Sequence, residues 1–329
     1  MVVKAVNSRG IVDQSGRVID YIRVSVTQRC NLRCVYCMPE NCKIEKETLS
    51  FEDYLKILKV FRELGVKKIK ITGGEPLVRQ GVNKFINSLK NDLGFESVTL
   101  TTNGILLSKN IDELLEAGID GINISLDTMN SEKYREITRL GDLSVVKNSI
   151  EELIEKKFKN IKINMVPIDG ANSDEIIDFV DFAHENPVAV RFIELMPISE
   201  AVRYKGIKRE KIISMIREKY GQEELINEKL GNGPAEYYTF EKFNGKIGFI
   251  DAVGHRFCEN CNRVRMDSNG NLRLCLEFGD GISMVDFVEG KISEEDFKQK
   301  LKKIIYRKPL ANDFDINSVS DFNMNNIGG

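Results

Sequence analysis

The chain has 329 residues, 42% of them hydrophobic and 30% charged, which describes a globular protein with a sizeable core and room for two domains. Its 48 basic and 50 acidic residues leave a net charge of −2, so composition gives no reason to expect nucleic-acid or membrane binding. No apolar stretch reaches the length of a transmembrane helix, and Met1–Gly10 lacks the apolar segment of a secretory signal. A cytoplasmic protein is expected.

Tyr21–Val26 reads as a strand that runs into Cys30-Asn-Leu-Arg-Cys34-Val-Tyr-Cys37. Three thiols within eight residues can converge on one centre, and thiolates select zinc, copper(I) or iron–sulfur clusters. A structural zinc site would need a fourth ligand from elsewhere. A four-iron cluster held by three cysteines would keep one iron open to a small molecule. Spacing alone suits both.

Ser50 is a helix cap, with Tyr54, Ile57, Leu58 and Phe61 on one face. Further strands are expected at Lys68–Thr72, Ser97–Thr102, Gly121–Asp127, Asn160–Val166 and Ala189–Met196, with helical periodicity between them, as in Ile176, Phe179, Val180 and Ala183. Alternation of this kind predicts βαβ units and a parallel sheet. Six units fall short of a closed eight-stranded barrel, so the expected fold is α/β, an incomplete, open parallel βα barrel; a doubly wound sheet is the alternative. In a βα barrel the C-terminal strand ends build the site. Here they carry the cysteine loop, Thr72-Gly73-Gly74-Glu75-Pro76, Thr101-Thr102-Asn103-Gly104, Ser125-Leu126-Asp127, Lys162 with Asn164, and Glu194 with Met196.

Beyond Pro197 the pattern changes. A basic helix, Lys208–Tyr220, precedes the Gly231-Asn-Gly-Pro234 stretch, and a hairpin follows: Glu236–Phe243, an Asn244-Gly245 turn, and Lys246–Val253. The expected domains are residues 1–199 and a smaller α+β unit, 200–329. The second carries another triplet, Cys258, Cys261 and Cys275, the last returned beside the pair by strands at Arg263–Met266 and Leu272–Leu276. His255 could close a Cys₃His zinc site here. Seven cysteines, an odd count in two groups, argue against a disulfide framework; Cys42 is left without a role.

The C-x-x-x-C-x-aromatic-C spacing, with Gly-Gly-Glu-Pro one strand later, resembles the signature of the radical S-adenosylmethionine (SAM) enzymes. Phe257-Cys-x-x-Cys-Asn-Arg-x-Arg, Cys275, Asp20-Tyr-x-Arg-x-Ser-Val-Thr and the final Gly328-Gly329 together resemble one branch of that superfamily, the GTP 3′,8-cyclases of molybdenum cofactor biosynthesis. The resemblance spans nearly the whole chain.

It implies two 4Fe-4S clusters, one on Cys30, Cys34 and Cys37 and one on Cys258, Cys261 and Cys275. SAM would bind the open iron of the first, with Tyr36, Gly74, Ser125 and Met196 around it. GTP would bind the second through its base. Its contacts would be Arg23, Lys70, Thr101, Lys162, Arg263, Val264 and Arg265, the charged members suiting a triphosphate. Lys70 keeps the charge but loses the bidentate geometry of the arginine found in other family members. Gly328 and Gly329 would reach into the site and act in catalysis. The resemblance further implies an electron donor and a downstream cyclic pyranopterin synthase, and it leaves room for a homodimer. The alternatives are a radical SAM peptide maturase with an auxiliary cluster, or a zinc-bound nucleic-acid-binding module.

Overall fold

The computed structural model describes residues 11–38, 47–227, 230–278, 281–312, 314 and 324–328. Met1–Gly10, Cys42 and Gly329 lie outside these residues. The strands are β1 Ile11–Val12, β2 Val18–Ile19, β3 Tyr21–Ser25, β4 Lys68–Thr72, β5 Ser97–Thr102, β6 Gly121–Ser125, β7 Ile161–Met165, β8 Ala189–Ile193, β9 Glu224–Ile226, β10 Glu236–Thr239, β11 Lys246–Ile250, β12 Arg263–Met266 and β13 Leu272–Arg273. A short β1–β2 hairpin stands apart; the other eleven form one sheet in the order β13-β12-β3-β4-β5-β6-β7-β8-β11-β10-β9.

The six expected strands, β3 to β8, pair in parallel in chain order. The later segment then adds one parallel strand to each edge. β12 pairs with β3 and β11 pairs with β8, and antiparallel β13 and β10 follow outside them. The sheet is a curved, open α/β barrel whose two rims both come from the C-terminal segment.

Period-two alternation sorts the side chains. Ile22, Val24, Ile69, Ile71, Val98, Leu100, Ile122, Ile124, Val190 and Phe192 are buried in the core, facing helices such as Phe51–Glu63 and Ile176–Glu185. Each fully buried aliphatic or aromatic chain contributes about 1.5–3 kcal/mol. The intervening positions, Arg23, Lys70, Thr72, Thr101 and Arg191, face the concave side. Ser50 caps its helix through the Asp53 amide, with Asp53 returning the bond. No helix of the described residues is long and apolar enough to cross a membrane.

Arg79 locks the loop that carries the first three cysteines. Its guanidinium donates to the carbonyls of Val26 and Leu49, both at 2.5 Å, one before the loop and one after it. It also lies 4.2 Å over the Phe51 ring, a cation–π contact. Inside the loop Glu47 accepts from Thr27 Oγ1 at 2.8 Å and Arg29 Nε at 2.7 Å. Arg79→Met leaves two carbonyls without their charged donor. The expected outcome is a loss of about 3 kcal/mol of stability in urea denaturation, together with faster alkylation of Cys30, Cys34 and Cys37. An unchanged midpoint would show that this clasp contributes nothing.

Candidate active site

The concave face of the sheet encloses a cavity of about 310 Å³. Both cysteine triads open onto it: Cys30, Cys34 and Cys37 from the loop after β3, and Cys258, Cys261 and Cys275 from the segments flanking β12 and β13. Among the described residues none of the six is in a disulfide.

The first triad sits on a backbone already held in place. Cys37 and Met38 amides donate to the Cys34 carbonyl, and Arg33 and Val35 amides donate to Thr138 and Ile137 at the end of helix Ser131–Thr138. The Leu32 amide lies 3.4 Å from Cys30 Sγ and Asn103 Nδ2 lies 3.8 Å from it. Burial pushes the Cys34 thiol well above its ordinary value, and the nearby Cys37, Asp127 and Cys30 add to the shift. Around the second triad the charges differ. Against the upward push of burial, Arg263 and then Lys308 hold Cys261 below its ordinary value, which favours thiolate. Lys308 is buried and donates to the Leu274 carbonyl. Arg17 ties this region together, donating to Asp13 at 2.6 Å, Cys258 O at 2.7 Å and Pro309 O at 2.6 Å.

Three soft donors per site, aimed into a cavity with N–H groups near their sulfurs, fit iron–sulfur clusters that keep an open position. A closed zinc site does not fit the second triad. His255 is 58% exposed, with Nε2 2.9 Å from Glu210 Oε1, and it is not on the cavity wall.

Between the triads the wall is cationic. Strand register places Arg265 beside Arg23 and Arg23 beside Lys70, and Arg191 and Arg263 also line the cavity. Burial, reinforced by Arg191, Arg23 and Lys162, holds the Lys70 ammonium well below its ordinary value. Arg265 is likewise lowered, by burial and then by Arg23 and Arg263. Thr101 Oγ1 is buried here with no hydrogen-bond partner among the described residues. A polyanion is the ligand that such a wall stabilises.

Tyr36, Gly74, Ser125 and Met196 also line the cavity. A Cβ on Gly74 would stand 2.5 Å from Arg29 O and 2.6 Å from Gln28 O, so this position requires glycine. The tail reaches the same place. Gly328 has φ +69°, its carbonyl accepts from Arg265 Nη1 at 2.9 Å, and a Cβ there would meet Thr72 Cγ2 at 2.2 Å.

Two expected residues stand elsewhere. Val264 alternates with Arg263 and Arg265, so its side chain packs in the core and only its backbone is available to a ligand. Lys162 is buried but is not on the cavity wall. Its ammonium donates to Asn160 Oδ1, and burial, then Arg191 and Lys246, lowers its pKa to about 7. Sequence reasoning missed Arg191, which bonds Asn164 Oδ1 at 2.8 Å and Asn123 Oδ1 at 2.7 Å; a charge between Val190 and Phe192 was the signal. Asp127, expected on the rim but without an assigned role, accepts from Tyr36 Oη at 2.6 Å and from the Val166 amide at 2.9 Å.

An open α/β barrel with two cysteine triads facing one cationic cavity is the class that fold and site define. Residues 24–183 match the radical SAM superfamily and residues 188–314 match Molybdenum Cofactor Synthesis C. GTP 3′,8-cyclase of Clostridium perfringens (strain SM101 / Type A) is 42% identical over 308 residues, covering 92% of this chain and 94% of that protein. GTP 3′,8-cyclase of Petrotoga mobilis is 40% identical over 334 residues, covering 97% and 100%. Among solved structures, Streptococcus suis SuiB bound to S-adenosylmethionine superposes with a TM-score of 0.63 at 17% identity, covering 89% of this chain and 67% of SuiB; the likeness is one of fold. The chain belongs to the GTP 3′,8-cyclase family of the radical SAM superfamily.

Two buried carboxyls beside the first triad give the site a pH signature. Burial pushes Glu75 from 4.5 to about 7, opposed by the Asn103 and Leu77 amides and Thr102. Burial likewise pushes Asp127 from 3.8 to about 6, opposed by Tyr36 and Val166. Each carboxyl binds its proton more tightly folded than unfolded, so its contribution is present below pH 4 and lost as pH rises to 7. The expected loss is about 3 kcal/mol for each group. In urea denaturation of the metal-free protein, Asp127→Asn is expected to flatten the pH 4–6 part of the decline; an identical slope would contradict it.

Proposed function

We propose that this chain is a radical SAM GTP 3′,8-cyclase, converting GTP to (8S)-3′,8-cyclo-7,8-dihydroguanosine 5′-triphosphate early in molybdenum cofactor biosynthesis. The observation that carries the reading is the single cavity bounded by both triads, with Arg23, Lys70, Arg191, Arg263 and Arg265 on its wall. The chain matches curated cyclases over almost their full length, which supports the same activity here.

In this reading Cys30, Cys34 and Cys37 hold one cluster and Cys258, Cys261 and Cys275 the other. When bound, the first cluster and SAM supply a hydrogen-abstracting radical, which is chemistry no side chain provides. The protein supplies position and electrostatics. Tyr36, fixed by Asp127, walls the SAM subsite with Ser125 and Met196, and Gly74 lets the backbone approach the methionine moiety. Arg23, Lys70 and Arg265 bind the triphosphate through charge-assisted hydrogen bonds, and Thr101 offers its buried hydroxyl. Arg263 and the Val264 backbone serve the nucleotide near the second cluster. Lys162 stands next to Arg191 and joins when its side chain leaves Asn160. Gly328 aims Arg265 through its carbonyl, and Gly329, outside the described residues, acts with it in catalysis in this reading.

The reaction removes hydrogen from C3′, joins C3′ to C8 and adds one electron and one proton, so the product is isomeric with GTP. It requires an electron donor and implies a cyclic pyranopterin synthase downstream, with the cytoplasm as the compartment. The proposed division is one of sequence: the segment up to residue 199 supplies the first triad and the SAM subsite, and the segment from residue 200 supplies the second triad, within one continuous sheet; a homodimer is compatible with this division.

Anaerobic incubation of reconstituted protein with SAM and a reductant is expected to yield 5′-deoxyadenosine in step with a nucleotide isomeric with GTP, and only when GTP is added. Deoxyadenosine formation that ignores GTP would overturn the reading. Lys70→Met is expected to weaken GTP binding about tenfold while iron content and cluster spectra stay at wild-type levels. Loss of a cluster instead would assign Lys70 a structural role.

A further inference from the structure

The loop Gly231-Asn232-Gly233-Pro234 has no part in the site derived so far, yet Gly233 and Pro234 lie on the same cavity wall as Lys70, Arg23 and Arg191. Asn232 Nδ2 donates to Ser97 Oγ at 2.7 Å, which pins the loop to the N-terminal end of β5. Gly231, at φ +88°, packs on Lys162: a Cβ there would stand 3.4 Å from the ammonium nitrogen. The loop therefore spans the barrel end opposite the cysteine loop, from β5 toward β7. The amides of Asn232 and Gly233 have no hydrogen-bond partner among the described residues. Successive free amides beside cations form an anion-binding concavity.

Resting on GTP as the substrate, we propose that this loop is the end wall for the terminal phosphate, and that Gly233 and Asn232 determine how many phosphates the cavity accepts. In that reading the base would lie at the second triad and the ribose would face the first, so the phosphate chain would cross the lateral cation row from β12 over β3 and β4 toward β5, where Ser97 pins the loop. A γ-phosphate reaches the loop amides; the β-phosphate of GDP stops short of them. Gly233 suits the role because it carries no side chain. A Cβ there meets nothing within 4 Å, so a side chain at this position occupies space without straining the fold.

The test measures GTP and GDP dissociation constants by equilibrium binding to the anaerobically reconstituted full chain. Wild type is expected to favour GTP over GDP by about tenfold, the size of one charge-assisted contact. Gly233→Val, which shortens the cavity, and Asn232→Ala, which releases the loop from Ser97, are each expected to raise the GTP constant about tenfold and leave that of GDP within about twofold. Equal effects on both nucleotides, or none on either, would overturn the proposal while leaving the substrate reading intact. Failure of wild type to bind GTP at all would overturn both. Should Gly233→Val fail to assemble its clusters, the GTP-to-GDP ratio of Asn232→Ala decides alone.

Discussion

The structure depends on keeping like charges together. Arg265, Arg23 and Lys70 occupy paired positions on three adjacent parallel strands, and neighbouring strands lie only about 4.8 Å apart. All three are depressed in pKa, first by burial and then by neighbouring cations: Arg263 and Arg191 act on Arg23, Arg191 and Arg23 on Lys70, and Arg23 and Arg263 on Arg265. Such a row is unfavourable in an empty cavity, and its cost is offset by the apolar face of the same strands. In β3 and β4 the residues between the cations are Ile22, Val24, Ile69 and Ile71, all fully buried. The strands are thus held by one face so that the other can present charge. A closed barrel would fill its interior with side chains; this one stays open and leaves room for a polyanion.

The C-terminal segment turns that open sheet into a chamber. By adding β12 to one edge and β11 to the other, it brings the second triad to the cavity that the first already faces. Arg17 reinforces this by bonding Cys258 O and Pro309 O from the start of the chain. The tail then returns, and Gly328 meets Arg265 and Thr72 at once. Domain boundaries drawn along the sequence therefore cut through a continuous sheet in space.

What was legible in the sequence follows from what is local. The six central strands and the Ser50 cap depend on short-range pattern, and each lies where the pattern put it. The β10–β11 hairpin also forms, but β10 ends at Thr239 and the chain turns at Phe240–Phe243, because the expected turn residues Asn244 and Gly245 donate their amides to His184 and Ala183 of helix Ile176–Glu185 instead. Both triads were legible because cysteine spacing is itself local. The edge pairings of β11 and β12 were not, since nothing in either strand names its partner. The roles of Arg79 and Asp127 were not legible, because they come from carbonyls and a hydroxyl far away in sequence. Val264 is the opposite case: within an Arg-Val-Arg run it reads as part of the contact surface, but alternation sends its side chain to the core and leaves only its backbone facing the cavity side. Lys162 has the right charge on the right strand, but its ammonium is satisfied by Asn160, two residues earlier.

Arg263 joins the two halves of the chemistry. Its guanidinium stacks 4.6 Å from the Phe257 ring, next to Cys258, and it is the leading cation holding Cys261 toward the thiolate. The same residue stands on the cavity wall with Arg23, Lys70 and Arg265. A polyanion arriving there draws on the positive potential that Cys261 also uses. Anionic charge in the cavity and the Cys261 thiolate therefore compete for one guanidinium. The second triad thus lies on the cation-bearing segment of the sheet and shares one electrostatic environment with the cavity that the first triad also faces.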